Sequence, residues 1–379
     1  GVGGDERAGG AEVQERPGGG RLVGEGVDVR HDVVAEAALV GDVRLAAPAT
    51  LRALVEALER GGVAALRPEV TPRAVARTNA ADLADVVGQP GAKRALEVAA
   101  AGSHNLLLVG PPGAGKTLLA RRLPTILPAM SQAEALEVTA IHSVAGLLPP
   151  GGGLVAERPF RAPHHTISAA GLVGGGGVPR PGEVSLAHHG ALFVDELGEV
   201  PRMVLDSLRQ PLEDGRIVLS RAAATVCFPA RFTLVGAMNP CPCGHAGDPA
   251  KACRCAAAEV QRYRGRLSGP LADRIDMHVT VGAVPIAQFA VAEGHAPHAE
   301  SSAAVRARVE AARALQATRY RDLPGVTCNA LAPGRWVERH GGFSPEARRL
   351  LVDAAERVGL SARNLHHRHG HPQVGAQHR

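Results

Sequence analysis

A chain of 379 residues, 45% hydrophobic and 21% charged, has enough apolar material for one large core or two to three modest ones. Its formal charge of +5 is spread along the chain, which permits a polyanionic partner without demanding one. No apolar run approaches the roughly 18 residues that cross a bilayer and no secretory leader pattern is present, so a cytoplasmic protein with no membrane partner and with reduced thiols is expected.

Residues 1 to about 31 contain GVGGDERAGG and RPGGGRLVGEG, which carry neither the helical nor the strand period and read as disordered. From Ala35 to Arg60 a short strand or turn precedes an amphipathic helix with Leu51, Leu54, Val55 and Leu58 on one face and a Gly-Gly stop. A helix is expected from Pro90 to Ala100, then an apolar strand from Asn105 to Val109. GALFVDE (190–196) and FTLVGAMN (232–239) are likewise short, nearly all apolar and polar at their ends, as strands of a parallel sheet covered by helices are. After Val281 the chain turns Ala/Arg-rich in SSAAVRARVEAARALQATRY and SPEARRLLVDAAERVGL, which predicts an α/β core followed by an all-helical region.

The chemistry begins at residues 110–117, GPPGAGKT, which fits G-x-x-x-x-G-K-[ST] between a strand and the helix-forming LLARRL. In that setting the backbone of Gly110, Pro111, Pro112, Gly113, Ala114 and Gly115 wraps phosphates, Lys116 reaches the β and γ groups, and the Thr117 hydroxyl binds Mg²⁺. Asp195 and Glu196 end the second strand, where the first acid can hold Mg²⁺ and the second polarise the attacking water. Asn239 ends the third strand and could orient that water, although Asn-Pro is also a turn dipeptide. Arg274, in GPLADRIDMHV, reads either as a surface charge or as a finger supplied in trans to the phosphoryl transition state.

Four of the six cysteines lie in CPCGHAGDPAKACRC: Cys241, Cys243, Cys253 and Cys255. C-x-C, nine residues, C-x-C on a short Pro/Gly loop is expected to close a tetrahedral structural Zn²⁺ site, with reduced loop thiols as the alternative. A redox pair would want C-x-x-C at a helix start, which is missing.

DLADVVGQPGAKRALEVAAAGSHNLLLVGPPGAGKT, RPFRAPHHTISAAGLVGGGGVPRPGEVSLAHHGALFVDEL, LRQPLEDGRIVLSRAAATVCFPARFTLVGAMNPCPCG and LADRIDMHV together closely resemble the YifB/ComM family of magnesium-chelatase-like AAA+ ATPases, from about Asp82 to Val281 and more weakly to Arg363. The resemblance implies an AAA+ P-loop core with a parallel sheet, a small all-helical lid, ATP hydrolysis with Mg²⁺, a homo-hexameric ring and, for one branch, DNA helicase and branch-migration activity in transformation and recombination. By position it makes Lys116 and Thr117 Walker A residues, Asp195 and Glu196 Walker B, Asn239 sensor 1, Arg274 the arginine finger and Arg363 the sensor 2 arginine. It places a hairpin before sensor 1 whose tip, from Ser220 with Arg221 beside it, would face a ring pore and grip DNA phosphates. His164 and His165, in APHHTIS, look like metal ligands but are expected in a structural loop, since adjacent histidines point apart in most backbones.

The expected organisation is a disordered start and the remnant of a Lon-C-terminal-like domain over 1–80, the ATPase core over 81–285, the lid over 286–363, and a divergent disordered tail, NLHHRHGHPQVGAQHR, over 364–379. Competing functions are a chelatase-type motor driving metal insertion and a nucleotide-binding remnant without turnover. An enhancer-dependent transcription activator is disfavoured because its Gly-Ala-Phe-Thr-Gly-Ala loop is absent.

Overall fold

The three apolar strands form where the sequence places them, as β1 (Leu106–Val109), β5 (Ala191–Val194) and β8 (Thr233–Met238). Each is buried from end to end or nearly so, which is what strands covered on both faces require. The computed structural model describes residues 50–60, 81–148, 153–220, 225–248, 251–285 and 299–358. Arg221, Arg363 and the expected tail over 364–379 lie outside the described residues, as do 1–49 and 61–80 of the expected N-terminal remnant.

Two compact units are present, one drawn from within Gly1–Ala76 and Ala135–Ala156, the other from within Arg77–Glu134 and Glu157–Arg379. The first contains α1 (Leu51–Glu59), capped by the Thr50 hydroxyl at 3.2 Å from Ala53 N. Of its expected apolar face only Leu54 is buried, while Leu51, Val55 and Leu58 are exposed.

Everything that positions the site belongs to the second unit. Its five-stranded sheet runs β2 (Phe160–Arg161), β5, β8, β1, β9 (Met277–Thr280), and all four pairings are parallel. The two edge strands were not legible in the sequence: β2 is two residues long and β9 alternates half-buried and exposed positions, so neither presents an apolar run. Helices α2 (Pro90–Gly102) and α3 (Lys116–Ile126) flank β1 in the chain. Leu96, Leu119 and Leu123 are fully buried and share one apolar cluster with Leu106, Leu108 and Phe193 of the sheet. The next helix is α4 (Gln132–Val144).

Between β2 and β5 the chain builds α5 (Ala169–Val173), a two-residue antiparallel pair, β3 (Gly174–Gly175) with β4 (Arg180–Pro181), and α6 (Glu183–Leu186). After β5 come α7 (Arg202–Asp206), α8 (Arg209–Asp214) and an antiparallel hairpin, β6 (Arg216–Ser220) with β7 (Thr225–Pro229). It lies in the segment LEDGRIVLSRAAATVCFPA, for which the resemblance implied a hairpin. Its last described pair is Ser220 opposite Thr225, their hydroxyls 3.3 Å apart. Behind β8 lie α9 (Ala257–Arg264) and α10 (Gly269–Ala272), then β9.

The C-terminal part is helical, as its Ala/Arg composition predicts: α11 (Ser302–Arg319), α12 (Gly334–His340) and α13 (Pro345–Val358). Val305 and Val309 of α11 enter the main core. Beyond it, among the described residues, Tyr320, Ala332 and Val337 form a small buried cluster.

Candidate active site

In an open parallel sheet ligands gather at the carboxyl ends of the strands, beside the point where strand order reverses. Here β5, β8 and β1 are neighbours, and each is followed at that rim by a residue with chemistry: Asp195 after β5, Asn239 after β8 and Gly110 after β1. The register pairs Val194 with Gly236 and Met238 with Val109, so the three strand ends open onto one place.

The phosphate loop folds as its glycines dictate. Gly113 and Gly115 have φ of 78° and 86°, a left-handed backbone that side chains strain to adopt. Gly110 is needed for a different reason: a Cβ there would lie 2.1 Å from the Val281 carbonyl oxygen. The Lys116 ammonium, on the first turn of α3, donates to Gly110 O at 2.6 Å, Pro111 O at 2.9 Å and Asn239 Oδ1 at 3.0 Å. Burial pushes its pKa below the ordinary lysine value, and the Asp195 and Glu196 carboxylates act against that shift. Next to it the Thr117 hydroxyl donates to Asp195 Oδ2 at 2.7 Å. Hard oxygen donors from the loop and from the β5 end therefore meet, which is the donor set that Mg²⁺ takes.

Glu196 is held differently. Its φ of 48° is a left-handed conformation that costs a non-glycine residue energy and that clusters at functional sites. Backbone bonds fix it there: its own N–H to Asp195 Oδ1 at 2.9 Å, Glu199 N–H to its carbonyl at 2.6 Å, and Leu197 N–H to Ala237 O at 2.8 Å. Its carboxylate meets His165, with Nδ1 2.9 Å from Oε2. Sequence reading missed this partner. The contact follows from strand pairing: Phe160 pairs with Ala191 and Arg161 with Leu192, so the segments that leave β2 and β5 start side by side. His164 does serve the loop, its ring 4.1 Å from His165 and Nδ1 2.9 Å from the Thr166 hydroxyl. Two arginines fasten the segment. Arg158 donates to Pro128 O, His189 O and Glu134, and Arg161 makes a two-pronged pair with Glu183 at 2.6 and 2.7 Å.

Arg274 does not join this group. It pairs with Glu213 at the end of α8, donates to Pro270 O at 2.5 Å, and leaves a buried Nε without a partner. Its backbone carbonyl is gripped by Asn105 Nδ2 at 2.8 Å, while Asn105 Oδ1 accepts Leu234 N–H at 2.8 Å, which ties the Arg274 segment to the start of β1 and β8.

The cysteine loop leaves β8 immediately after Asn239. Cys241, Cys243, Cys253 and Cys255 place their sulfurs within 4.8 Å of one another, and all are free thiols. Backbone N–H groups of Arg254 and His245 pull Cys243 down to about 6. Cys255 Sγ accepts the Cys243 N–H, yet desolvation and the neighbouring thiols win and push it up to about 12. The loop reaches the phosphate loop through Gly244, where a Cβ would sit 2.6 Å from Pro112 Cδ.

Residues 82–289 match the family model for magnesium chelatase, subunit ChlI, and residues 299–369 match that for its C-terminal region. The chain belongs to the magnesium chelatase ChlI family. It is 48% identical over 340 residues to a protein of Mycobacterium tuberculosis, covering 89% of this chain and 66% of that one. It is 42% identical to competence protein ComM of Haemophilus influenzae, covering 87% and 64%. Against the YifB protein of Escherichia coli the identity is 49%, covering 68% and 49%. The chain thus spans two thirds or less of the length of these relatives. A more distant match is the magnesium-chelatase 38 kDa subunit of Rhodobacter capsulatus, 27% identical over 41% of this chain and 49% of that one. The strand order and the helical C-terminal part agree with the AAA+ fold expected from the sequence.

Proposed function

We propose that this protein is a Mg²⁺-dependent, ATP-hydrolysing ring motor that acts on DNA. The observation that carries the ATPase reading is the meeting of Lys116 with Asn239 at 3.0 Å and of Thr117 with Asp195 at 2.7 Å across three neighbouring strand ends. The carbonyls of Gly110 and Pro111, with Asn239, occupy an ammonium whose task in such a loop is to hold phosphate oxygens. Thr117 and Asp195 would hold Mg²⁺, which when bound neutralises charge on the β and γ phosphates. Glu196 takes the proton of the attacking water and Asn239 orients that water. His165 is a positioning residue that sets the direction of the Glu196 carboxylate.

Arg274 acts on a neighbouring subunit in a homo-hexamer, released from Glu213 when subunits dock, and Arg363 completes the nucleotide site from the lid. The hairpin of β6 and β7 carries Ser220 and Arg221 to the DNA backbone, a contact that is sequence-independent and weakened by salt. Resemblance to a competence protein supports DNA as the partner. The match to a magnesium-chelatase subunit supports a second reading, a motor driving metal insertion into a tetrapyrrole, which shares the same nucleotide chemistry.

Steady-state ATP hydrolysis at low salt, with and without single- and double-stranded DNA, tests the proposal. DNA-stimulated turnover that Lys116→Ala abolishes is expected. Turnover indifferent to DNA would favour the chelatase reading, and absence of turnover in an assembled ring would leave only a nucleotide-binding remnant.

A further inference from the structure

We propose that Cys241, Cys243, Cys253 and Cys255 form a tetrahedral zinc site that braces the phosphate loop from behind. The metal site stands apart from the ATPase reading, whereas the brace rests on it.

Geometry speaks first. The Sγ atoms of Cys241 and Cys243 are 3.4 Å apart, those of Cys241 and Cys253 3.7 Å, and those of Cys243 and Cys253 3.6 Å. A regular tetrahedron with Zn–S bonds of about 2.3 Å has edges of about 3.8 Å, so three sulfurs already stand near its corners, with the Cys255 sulfur within 4.8 Å of each. Disulfides need sulfurs about 2.05 Å apart, and no pair among these approaches that.

The surroundings suit thiolates. Ala246 N–H donates to Cys241 Sγ at 3.2 Å and Cys243 N–H to Cys255 Sγ at 3.4 Å, the outer bonds that orient metal-bound sulfur. Cys241 is buried at the base and Cys253 is exposed, which leaves an entry path. Among the described residues from 241 to 255, Cys241 is the one member of the apolar core. A loop of this length with so little apolar burial lacks an ordinary source of stability, and a structural metal supplies one.

The brace follows from what the loop touches. Gly244, at φ 83°, lies so close to Pro112 that any side chain would press on the phosphate loop. On the other side, Arg264 Nε reaches Pro240 O at 3.3 Å, and the Asn239 N–H meets the Tyr263 hydroxyl. The Tyr263 ring in turn fills the space over Gly198, where a Cβ would be 2.5 Å from its carbon. The four sulfurs therefore fix one loop between the phosphate loop, the sensor asparagine and the segment after Glu196.

The test uses the 379-residue chain purified without chelator. Zinc by elemental analysis should approach one per chain, and cobalt replacement should give the visible and near-ultraviolet bands of tetrahedral cobalt–thiolate. Cys253→Ser with Cys255→Ser should lose both. Absence of zinc together with absence of those cobalt bands overturns the site. For the brace, binding of a fluorescent ATP analogue should weaken roughly tenfold when zinc is stripped. Gly244→Ala should weaken it comparably while keeping its zinc. Unchanged nucleotide affinity in stripped protein and in Gly244→Ala overturns the brace. No nucleotide binding by the zinc-loaded chain refutes the ATPase reading and the brace with it, while the metal readings still decide the site.

Discussion

The sheet core and the helical C-terminal part are held by different forces. In the core, Leu106, Leu108, Leu192 and Val235 are fully buried and neighbouring strands pair in parallel register, so its stability comes largely from apolar area removed from water. The long helix α11 contributes Val305 and Val309 to the buried core, and polar bonds supply much of its further attachment. Arg306 bonds Thr125 O, Arg308 pairs with Glu97 and Glu300, and Arg313 bonds Ala100 O and Ser103. Apolar packing fixes a geometry and tolerates salt, whereas an exposed ion pair such as Arg308 with Glu300 is individually weak and screened. The candidate site thus sits on the rim of an apolar-packed sheet, whereas much of the attachment of the helical part is polar.

The largest test of this contrast is Phe193→Ala. Phe193 is 2% exposed and stacks on Phe160 at 6.0 Å between centroids, so its loss should cost about 3–5 kcal/mol in urea unfolding. Because α11 roots in the same cluster, sheet and helix should unfold together; two separated transitions would break the comparison. Next comes Lys116→Ala, expected to lower ATP turnover by at least about 100-fold, roughly 2.7 kcal/mol. Its far-ultraviolet circular dichroism should be unchanged, since the lysine serves the rim and not the core.

His165→Ala should lower kcat about tenfold, close to 1.4 kcal/mol, with KM for ATP little altered. Partial recovery in His165→Gln would mark a positioning role, and equal losses in kcat and nucleotide affinity would speak for a merely structural loop. The smallest effect is expected at the polar seam. Burial works to raise the Glu97 carboxyl, but hydrogen bonds from Arg308 and Arg94 overcome it and hold the pKa below the ordinary 4.5. A depressed carboxyl stabilises the fold above its unfolded pKa and loses that contribution as pH falls from about 4.5 through the folded value. Glu97→Gln should therefore cost about 1 kcal/mol at neutral pH, discounted because Arg308 is 45% exposed, and the difference should vanish in acid.

By itself the sequence determined the glycine-rich loop over 110–117, the three central strands and the helical character of the C-terminal part. Those features are local: a glycine pattern fixes backbone handedness, and an unbroken apolar run can only be satisfied by burial on both faces. It also marked the cysteines as a group, because their spacing is written in the chain. Pairing was decided only by tertiary structure. The sequence named Asp195, Glu196 and Asn239 one at a time, but strand order brought them to Lys116 and Thr117. His165 read as part of a loop until the pairing of β2 with β5 brought the segments after them together and its ring to Glu196. Arg274 gained its Glu213 partner, and Gly244 its seat on Pro112, in the same way. The physical reason is shared: a parallel sheet joins segments far apart in sequence, and which residues meet at its rim depends on the order and register of strands, which no local pattern encodes.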